Sequence, residues 1–380
     1  MNQNEKVSWG TILSVSSVAF GIHVGGGFAT GNQTVTYFVK YGWWAAVLPF
    51  VAMLILNLVF RSALINAQIN KSGNYRQWAD GAFAPFSLVF GTIFEICFII
   101  ITLIAVATSI AGAGSLLETY GIPYGAGILI TSIIFFLLTI FGKELVAKAS
   151  SIMTICIVIG MLMLCYVGLT MDGADLSSSM SPSNNPIGAL PAVWAMLQYV
   201  GYQSYTGATI SPYAATLKTK QNVNKMVIVN FVLNSFMLCL STFTLMAWSD
   251  KVVGNTLPIL EIATMSGLGI LRYAYSIVLF MAFISTGVGC TFSTVTRMEN
   301  IIFKKLSIIT RRTIASFLVI VLSLGMSTFG LTALVMQGYG KLGIVGIFIM
   351  IIPCLTFIWA RNVKGVPARK EAIEESGQNN

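Results

Sequence analysis

Long apolar runs separated by short polar stretches recur along the whole 380-residue chain. A helix needs about 20 apolar residues to cross a hydrocarbon core of about 30 Å. The pattern places spans at 9–38, 43–66, 84–116, 124–141, 145–169, 187–215, 223–247, 267–296, 311–330 and 342–361. A β-barrel would show short alternating segments in place of these continuous ones. The expectation is an all-α polytopic membrane protein of ten transmembrane helices.

Composition agrees with that class. Hydrophobic residues make up 56% of the chain and charged residues 9%, against about a quarter charged in soluble domains. The first apolar stretch lacks a small-residue cleavage site and is expected as a retained span. Cys97, Cys156, Cys165, Cys239, Cys290 and Cys354 all fall in apolar segments, with no CxxC pair. That excludes a disulfide scaffold and gives no metal signature.

The net charge of +9 is explained by where the basic residues fall. With the N-terminus inside, Lys6, Arg61, Lys71, Arg76, Lys143, Lys148, Lys218, Lys220, Lys225, Arg297, Lys304, Lys305, Arg311, Arg312, Arg361, Lys364, Arg369 and Lys370 lie on the cytoplasmic side. Lys40, Lys251, Arg272 and Lys341 lie opposite. The bias is a topology signal with both termini cytoplasmic, and it removes the need for nucleic acid as a partner. The expected location is a plasma membrane, with no obligate protein partner evident.

The polar loop "TMDGADLSSSMSPSNNP" at 170–186 divides the spans five and five. An odd number per half makes the second half enter the membrane from the opposite side. Any likeness between halves is then an inverted repeat, as in many secondary transporters. The expectation is one transporter domain over 1–363, with repeats at about 9–169 and 187–361. A polar cytoplasmic tail follows over 364–380.

Span 1 contains "GIHVGGGFATGN" (21–32), and its counterpart span 6 contains "LQYVGYQSYTGATISP" (197–212). Glycine costs about 1 kcal/mol relative to alanine in a helix, so Gly25, Gly26 and Gly27 in succession favour local unwinding. Unwound backbone in a bilayer is tolerated only where protein or ligand satisfies its polar groups. Freed amides suit an anionic group and freed carbonyls a cation. The GxxxG pairs Gly21/Gly25 and Gly27/Gly31 also suit close helix packing.

"GGGFATGN" followed by "YFVKYG", with "IAGAGSLLE" in span 3, "LQYVGYQS" in span 6 and "ISTGVGCTF" in span 8, resembles the YkvI-like bacterial membrane protein family. That family looks like a branch of the amino acid–polyamine–organocation superfamily. The resemblance implies a leucine-transporter fold, a 5+5 inverted repeat with helices 1 and 6 broken. It implies a Na⁺ site from the carbonyls of Gly21, Val24 and Ala282 and the hydroxyls of Ser285 and Thr286. The amides around Gly26 and Gly27 would hold a substrate carboxylate, with Gly25, Phe28, Tyr199, Gly201, Tyr202 and Gln203 around the solute. Hydroxyls in spans also bond back to their own helix, which is the alternative role for Ser285 and Thr286. The chain departs from the family at Gln33, where a carboxylate is usual, at Gln203, and at His23, where a small apolar residue is usual.

Ionisable groups in spans are functional candidates by default. Glu95 lies about eleven residues into span 3, about 16 Å deep at 1.5 Å per residue. It could relay a proton, bind a cationic group, or pair structurally with a residue such as His23. His23 titrates near neutral pH in water. Lys148 begins span 5, where a lysine replaces Na⁺ in proton-coupled relatives; at a helix end it also snorkels, as does Arg272. Phe28, Trp194, Tyr199, Tyr202 and Tyr205 surround the breaks and could cage an ammonium group.

The expected function is an ion-coupled symporter of a small amino-acid-like or amine solute. Na⁺ is the coupling ion and H⁺ the alternative, with no other cofactor. A H⁺-coupled carrier of a quaternary ammonium, and a non-transporting solute sensor of the same fold, are the rival readings. No Walker A motif and no nucleophile–base pair occur, so ATP-driven pumping and enzymatic chemistry are not expected.

Overall fold

A computed structural model of the chain describes residues 7–141, 143–298 and 305–365, the side chains of 141, 143–152 and 296–298 excepted. The polar tail beyond Gly365 lies outside the described residues. All regular structure among them is helical.

Seven helices are long and apolar enough to cross a membrane: Leu48–Asn70, Ser87–Glu118, Met153–Thr170, Lys220–Met246, Gly269–Val295, Ile308–Ser327 and Leu331–Lys364. These are predicted spans 2, 3, 5, 7, 8, 9 and 10. Tyr124–Ile140, span 4, is a shorter apolar helix. Spans 1 and 6 fall short because both are interrupted. The helices present apolar side chains outward, with Leu88 81% and Ile270 83% exposed. An apolar outer surface is what a lipid-facing bundle requires and what a soluble domain avoids.

Polar residues at the membrane edges start the helices. Ser8 caps span 1 by accepting from Thr11 N, Thr219 caps span 7 from Asn222 N, and Ser307 caps span 9 from Thr310 N. Each satisfies an amide that the first turn leaves without a partner. A short helix, Tyr75–Ala82, lies between spans 2 and 3 and is capped by Asn74.

Span 10 begins eleven residues earlier than its pattern predicts, and Lys341, assigned to a loop, lies inside the helix. Glycines of this helix pack against span 6. A Cβ on Gly201 of span 6 would collide with the Gly343 carbonyl, and one on Gly346 with the Gly201 carbonyl. The two backbones therefore approach as only glycine allows. Span 10 accommodates this with π-helical turns at Leu334–Tyr339 and Ile347–Ile351, a form found mostly as short bulges.

Candidate functional site

Span 1 is helical over Trp9–His23, stops at Val24–Gly25, makes one turn over Gly26–Ala29, and resumes at Asn32–Tyr37. The second interruption is a left-handed residue, Gly31 at φ 81°, which a side chain would strain. Span 6 breaks less severely. Its helix ends at Gln203 and restarts at Thr206, yet Ser204 and Tyr205 keep near-helical dihedrals. The bonding there tightens to Gly207 N→Ser204 O at 2.9 Å and Ala208 N→Tyr205 O at 3.1 Å. The two breaks are matched in position and unequal in depth.

Backbone groups freed by the first break divide into two sets. Toward the end where span 1 finishes, the chain satisfies them. Thr30 Oγ1 donates to the Gly27 carbonyl at 2.8 Å, Tyr275 Oη to Ala29 O at 2.6 Å, and Ile259 N to Thr30 O at 3.1 Å. Toward the other end, no donor among the described residues reaches the carbonyls of Gly21, Ile22, His23 or Val24. A helix C-terminus leaves its last carbonyls without intrahelical partners, and here those of the buried His23 and Val24 stay free beside the break.

Span 8 faces them. Ser276, Thr291, Ser293 and Thr294 on that helix all donate back to the carbonyl four residues earlier. Thr286 does not; its Oγ1 accepts from Gly26 N at 2.9 Å. Ser285, one residue before it, makes no hydrogen bond in the described chain. Ala282, a turn earlier, is fully buried. The structure thus brings span 8 against the break at Gly25 and Gly26. On span 5 the residue beside Gly21 is Thr154, six positions after Lys148. The Lys148 side chain lies outside the described residues.

A cavity of about 130 Å³ opens beside the break, enough for several waters. His23, Gly25, Gly27, Phe28, Gln33, Tyr202, Gln203 and Thr286 line it, as do Tyr205 and Tyr339. It runs from the break toward Thr209 and Ser293, on the side where span 1 begins and span 8 ends. No Asp, Glu, Lys or Arg is among its described lining residues. Gln33 Oε1 is buried there without a hydrogen-bond partner, while the Tyr202 and Tyr205 hydroxyls lie beside Gln203 and the Cys97 thiol. Gln33 folds its amide over Gly27, occupying the space a Cβ would take.

Stacked rings close the far side of this cavity. Tyr199 and Tyr202 meet edge-on at 5.3 Å, and Tyr202 stacks on Tyr339 at 4.6 Å. Tyr37 Oη donates to Val335 O at 2.7 Å, and Asn32 Nδ2 bridges Thr256 O at 3.1 Å and Thr332 Oγ1 at 2.9 Å. Beyond this layer lies a second cavity of about 420 Å³, bordered by Glu118, Glu261 and Arg272.

Other expected site residues sit elsewhere. Gly201 packs on span 10, and Tyr199 stands behind Tyr202 without lining the cavity. Trp194 is 43% exposed and takes no part in a cage. Glu95 accepts from Arg76 Nη1 at 2.7 Å, and Arg76 also meets Asp80 at 3.1 Å. It is neither next to His23 nor at the cavity. Because span 3 starts at Ser87, Glu95 is about 12 Å along it, at 1.5 Å per residue.

Fold and break together define a membrane protein of the leucine-transporter fold. The chain is 30% identical over 128 residues to the uncharacterized membrane protein YkvI of Bacillus subtilis (strain 168), a match covering 33% of this chain and 35% of that protein. No family profile matches the chain. A mutant manganese transporter of Eremococcus coleocola superposes with a TM-score of 0.67 at 14% identity, over 93% of this chain and 82% of that one. MhsT in complex with L-phenylalanine gives 0.63 at 14%, over 92% and 89%, and inward-facing Mhp1 gives 0.57 at 13%, over 89% and 76%. At these identities the likeness is one of fold.

Proposed function

We propose that this chain is a secondary active transporter of a small polar solute, coupled to Na⁺. The observation that carries this reading is the meeting of the free span 1 carbonyls with two span 8 hydroxyls that do not bond back to their own helix, Ser285 with no hydrogen bond among the described residues and Thr286 accepting only from Gly26 N. The Gly21 and Val24 carbonyls, with Ala282 O, Ser285 Oγ and Thr286 Oγ1, supply five neutral oxygens for one monovalent ion. Oxygen donors without a carboxylate suit a hard, weakly held cation. The unpaired amides of Gly25 and Gly27 then remain for a solute carboxylate.

The cavity supports a solute of amino-acid size. Its unpartnered acceptor, Gln33 Oε1, needs a hydrogen-bonding ligand, because leaving it buried and unpaired costs about 1–3 kcal/mol. Aromatic rings supply the remaining walls. A divalent transition metal is a poor fit as cargo, even though one structural neighbour carries manganese in its name. Among the described residues no three His, Cys, Asp or Glu side chains converge, and no carboxylate lines the cavity.

In the orientation that the basic residues favour, this cavity communicates with the cytoplasmic side and the tyrosine layer seals the outside. Alternating access then consists of reversing those two conditions around a fixed break. The test is uptake of labelled amino acids, betaines and amines into proteoliposomes. Accumulation driven by an inward Na⁺ gradient at constant pH supports the reading. Accumulation driven only by a pH gradient moves the coupling to H⁺, and binding without accumulation makes the chain a sensor.

A further inference from the structure

A row of buried asparagines approaches His23 from behind the cavity. Asn57 on span 2 and Asn230 and Asn234 on span 7 are 3%, 0% and 0% exposed. Asn57 Nδ2 donates to the Met53 carbonyl at 2.9 Å, and its Oδ1 accepts from Asn230 Nδ2 at 2.7 Å. Asn234 Nδ2 donates both to the Asn230 carbonyl at 3.0 Å and to Asn230 Oδ1 at 2.9 Å. A backbone carbonyl can only accept, so these contacts fix which end of Asn57 and of Asn234 is the nitrogen. The row therefore runs one way, each amide donating toward span 2.

That polarity leaves one oxygen over. Asn234 Oδ1 is buried without a partner, and so is His23 Nδ1, with the Asn234 side chain beside the ring. On the ring's other side, His23 Nε2 lies 2.8 Å from Tyr199 Oη. The ring itself is 2% exposed and forms part of the cavity wall.

We propose that His23 is a positioning residue, held as its Nδ1–H tautomer by the asparagine row, so that Nε2 accepts the proton of the Tyr199 hydroxyl. An amide oxygen has no proton to give, so the hydrogen between Asn234 and the ring must come from Nδ1. A neutral ring then turns a lone pair toward Tyr199, whose hydroxyl completes the series as donor. The series runs from Tyr199 through His23, Asn234 and Asn230 to Asn57. It joins spans 6, 1, 7 and 2, the first two spans of each half, through the break itself. Two consequences follow for the site. The His23 ring cannot rotate without losing contacts on both sides, so it is a fixed wall and carries no coupling proton. Tyr199 has its hydrogen committed and offers its neighbours lone pairs only.

His23 is the only histidine in the sequence, so its ring nitrogens can be observed without assignment. The full chain, labelled with ¹⁵N-histidine and reconstituted in lipid nanodiscs near neutral pH, should show a protonated Nδ1 and an unprotonated Nε2. In Asn234→Leu the tautomer preference should be lost. In Tyr199→Phe the Nε2 resonance should shift while Nδ1 stays protonated, a change that loss of packing alone does not produce. A proton on Nε2 in the unaltered chain, with Nδ1 bare or also protonated, overturns the proposal. So does an unchanged spectrum in Asn234→Leu. The unaltered chain decides the matter alone if that variant does not fold.

Discussion

The amide of Gly26 donates to Thr286 Oγ1 at 2.9 Å, across 260 positions of sequence. This bond ties the broken backbone of span 1 to span 8 at the proposed ion site. It also separates the two hydroxyls there. Thr286 has a structural bond to lose, and Ser285 has none.

Ser285→Ala therefore removes an oxygen from the proposed site without orphaning a protein group. Its stability in Na⁺-free buffer should stay within about 0.5 kcal/mol of the parent, as for a substitution that breaks no contact. Its apparent Na⁺ affinity should fall at least about tenfold, equivalent to about 1.4 kcal/mol. Thr286→Val should lose Na⁺ affinity as well, and it should destabilise the apo protein by about 1–3 kcal/mol because the Gly26 amide is left unpaired. Na⁺ titrations of thermal stability measure both. Equal Na⁺ responses in Ser285→Ala and the parent would remove Ser285 from the site.

Gln33 holds a neutral amide over Gly27 where the resembled family carries a carboxylate. Gln33→Glu places an acid against the cavity, and selectivity should move toward solutes with a cationic group and no carboxylate. Competition binding at neutral pH, comparing an amine with the matching amino acid, should show the ratio changing by about tenfold or more. An unaltered ratio would mean that Gln33 does not touch the solute.

Glu95 is paired with Arg76, and their side chains are 15% and 22% exposed. Glu95→Gln leaves the guanidinium with the Gly91 carbonyl and the more exposed Asp80. The expected result is a stability loss of about 1–3 kcal/mol, below the cost of breaking a fully buried pair. The pH profile of transport should keep its shape. A profile that changes shape while stability holds would make Glu95 a coupling group.

Gly201 and Gly343 touch backbone to backbone, and neither helix can yield by rotating a side chain. Gly201→Ala should destabilise the detergent-solubilised protein by about 1–3 kcal/mol or more, as overpacked contacts do. Thermal unfolding without solute reads this directly. Unchanged stability would mean that spans 6 and 10 are not in contact.

The break in span 1 was legible because three consecutive glycines contradict the helix that a spanning segment requires. The carbonyls proposed to face an ion were reached only through a resemblance, since no residue type announces a free carbonyl. Gly201 misled for the opposite reason. There glycine marks close contact with Gly343 of span 10, and in a single sequence that looks the same as a glycine at a break. Glu95 lay in an apolar run, and its partner Arg76 belongs to a short helix outside the spans, so its depth was overestimated. Thr154 and Tyr339 were missed altogether. A lone hydroxyl or ring in an apolar helix acquires meaning only when packing shows what it faces.

The most direct test of the central claim is thermal stabilisation of the purified chain by small amino acids, betaines and amines, measured in Na⁺ and in K⁺ at equal ionic strength. A ligand that binds only the folded state raises stability by about 2.7 kcal/mol at a hundred times its Kd. The account predicts a solute that stabilises in Na⁺ and fails to do so in K⁺, with the Na⁺ effect weakened in Ser285→Ala. Stabilisation of equal size in both salts would contradict Na⁺ coupling at the break.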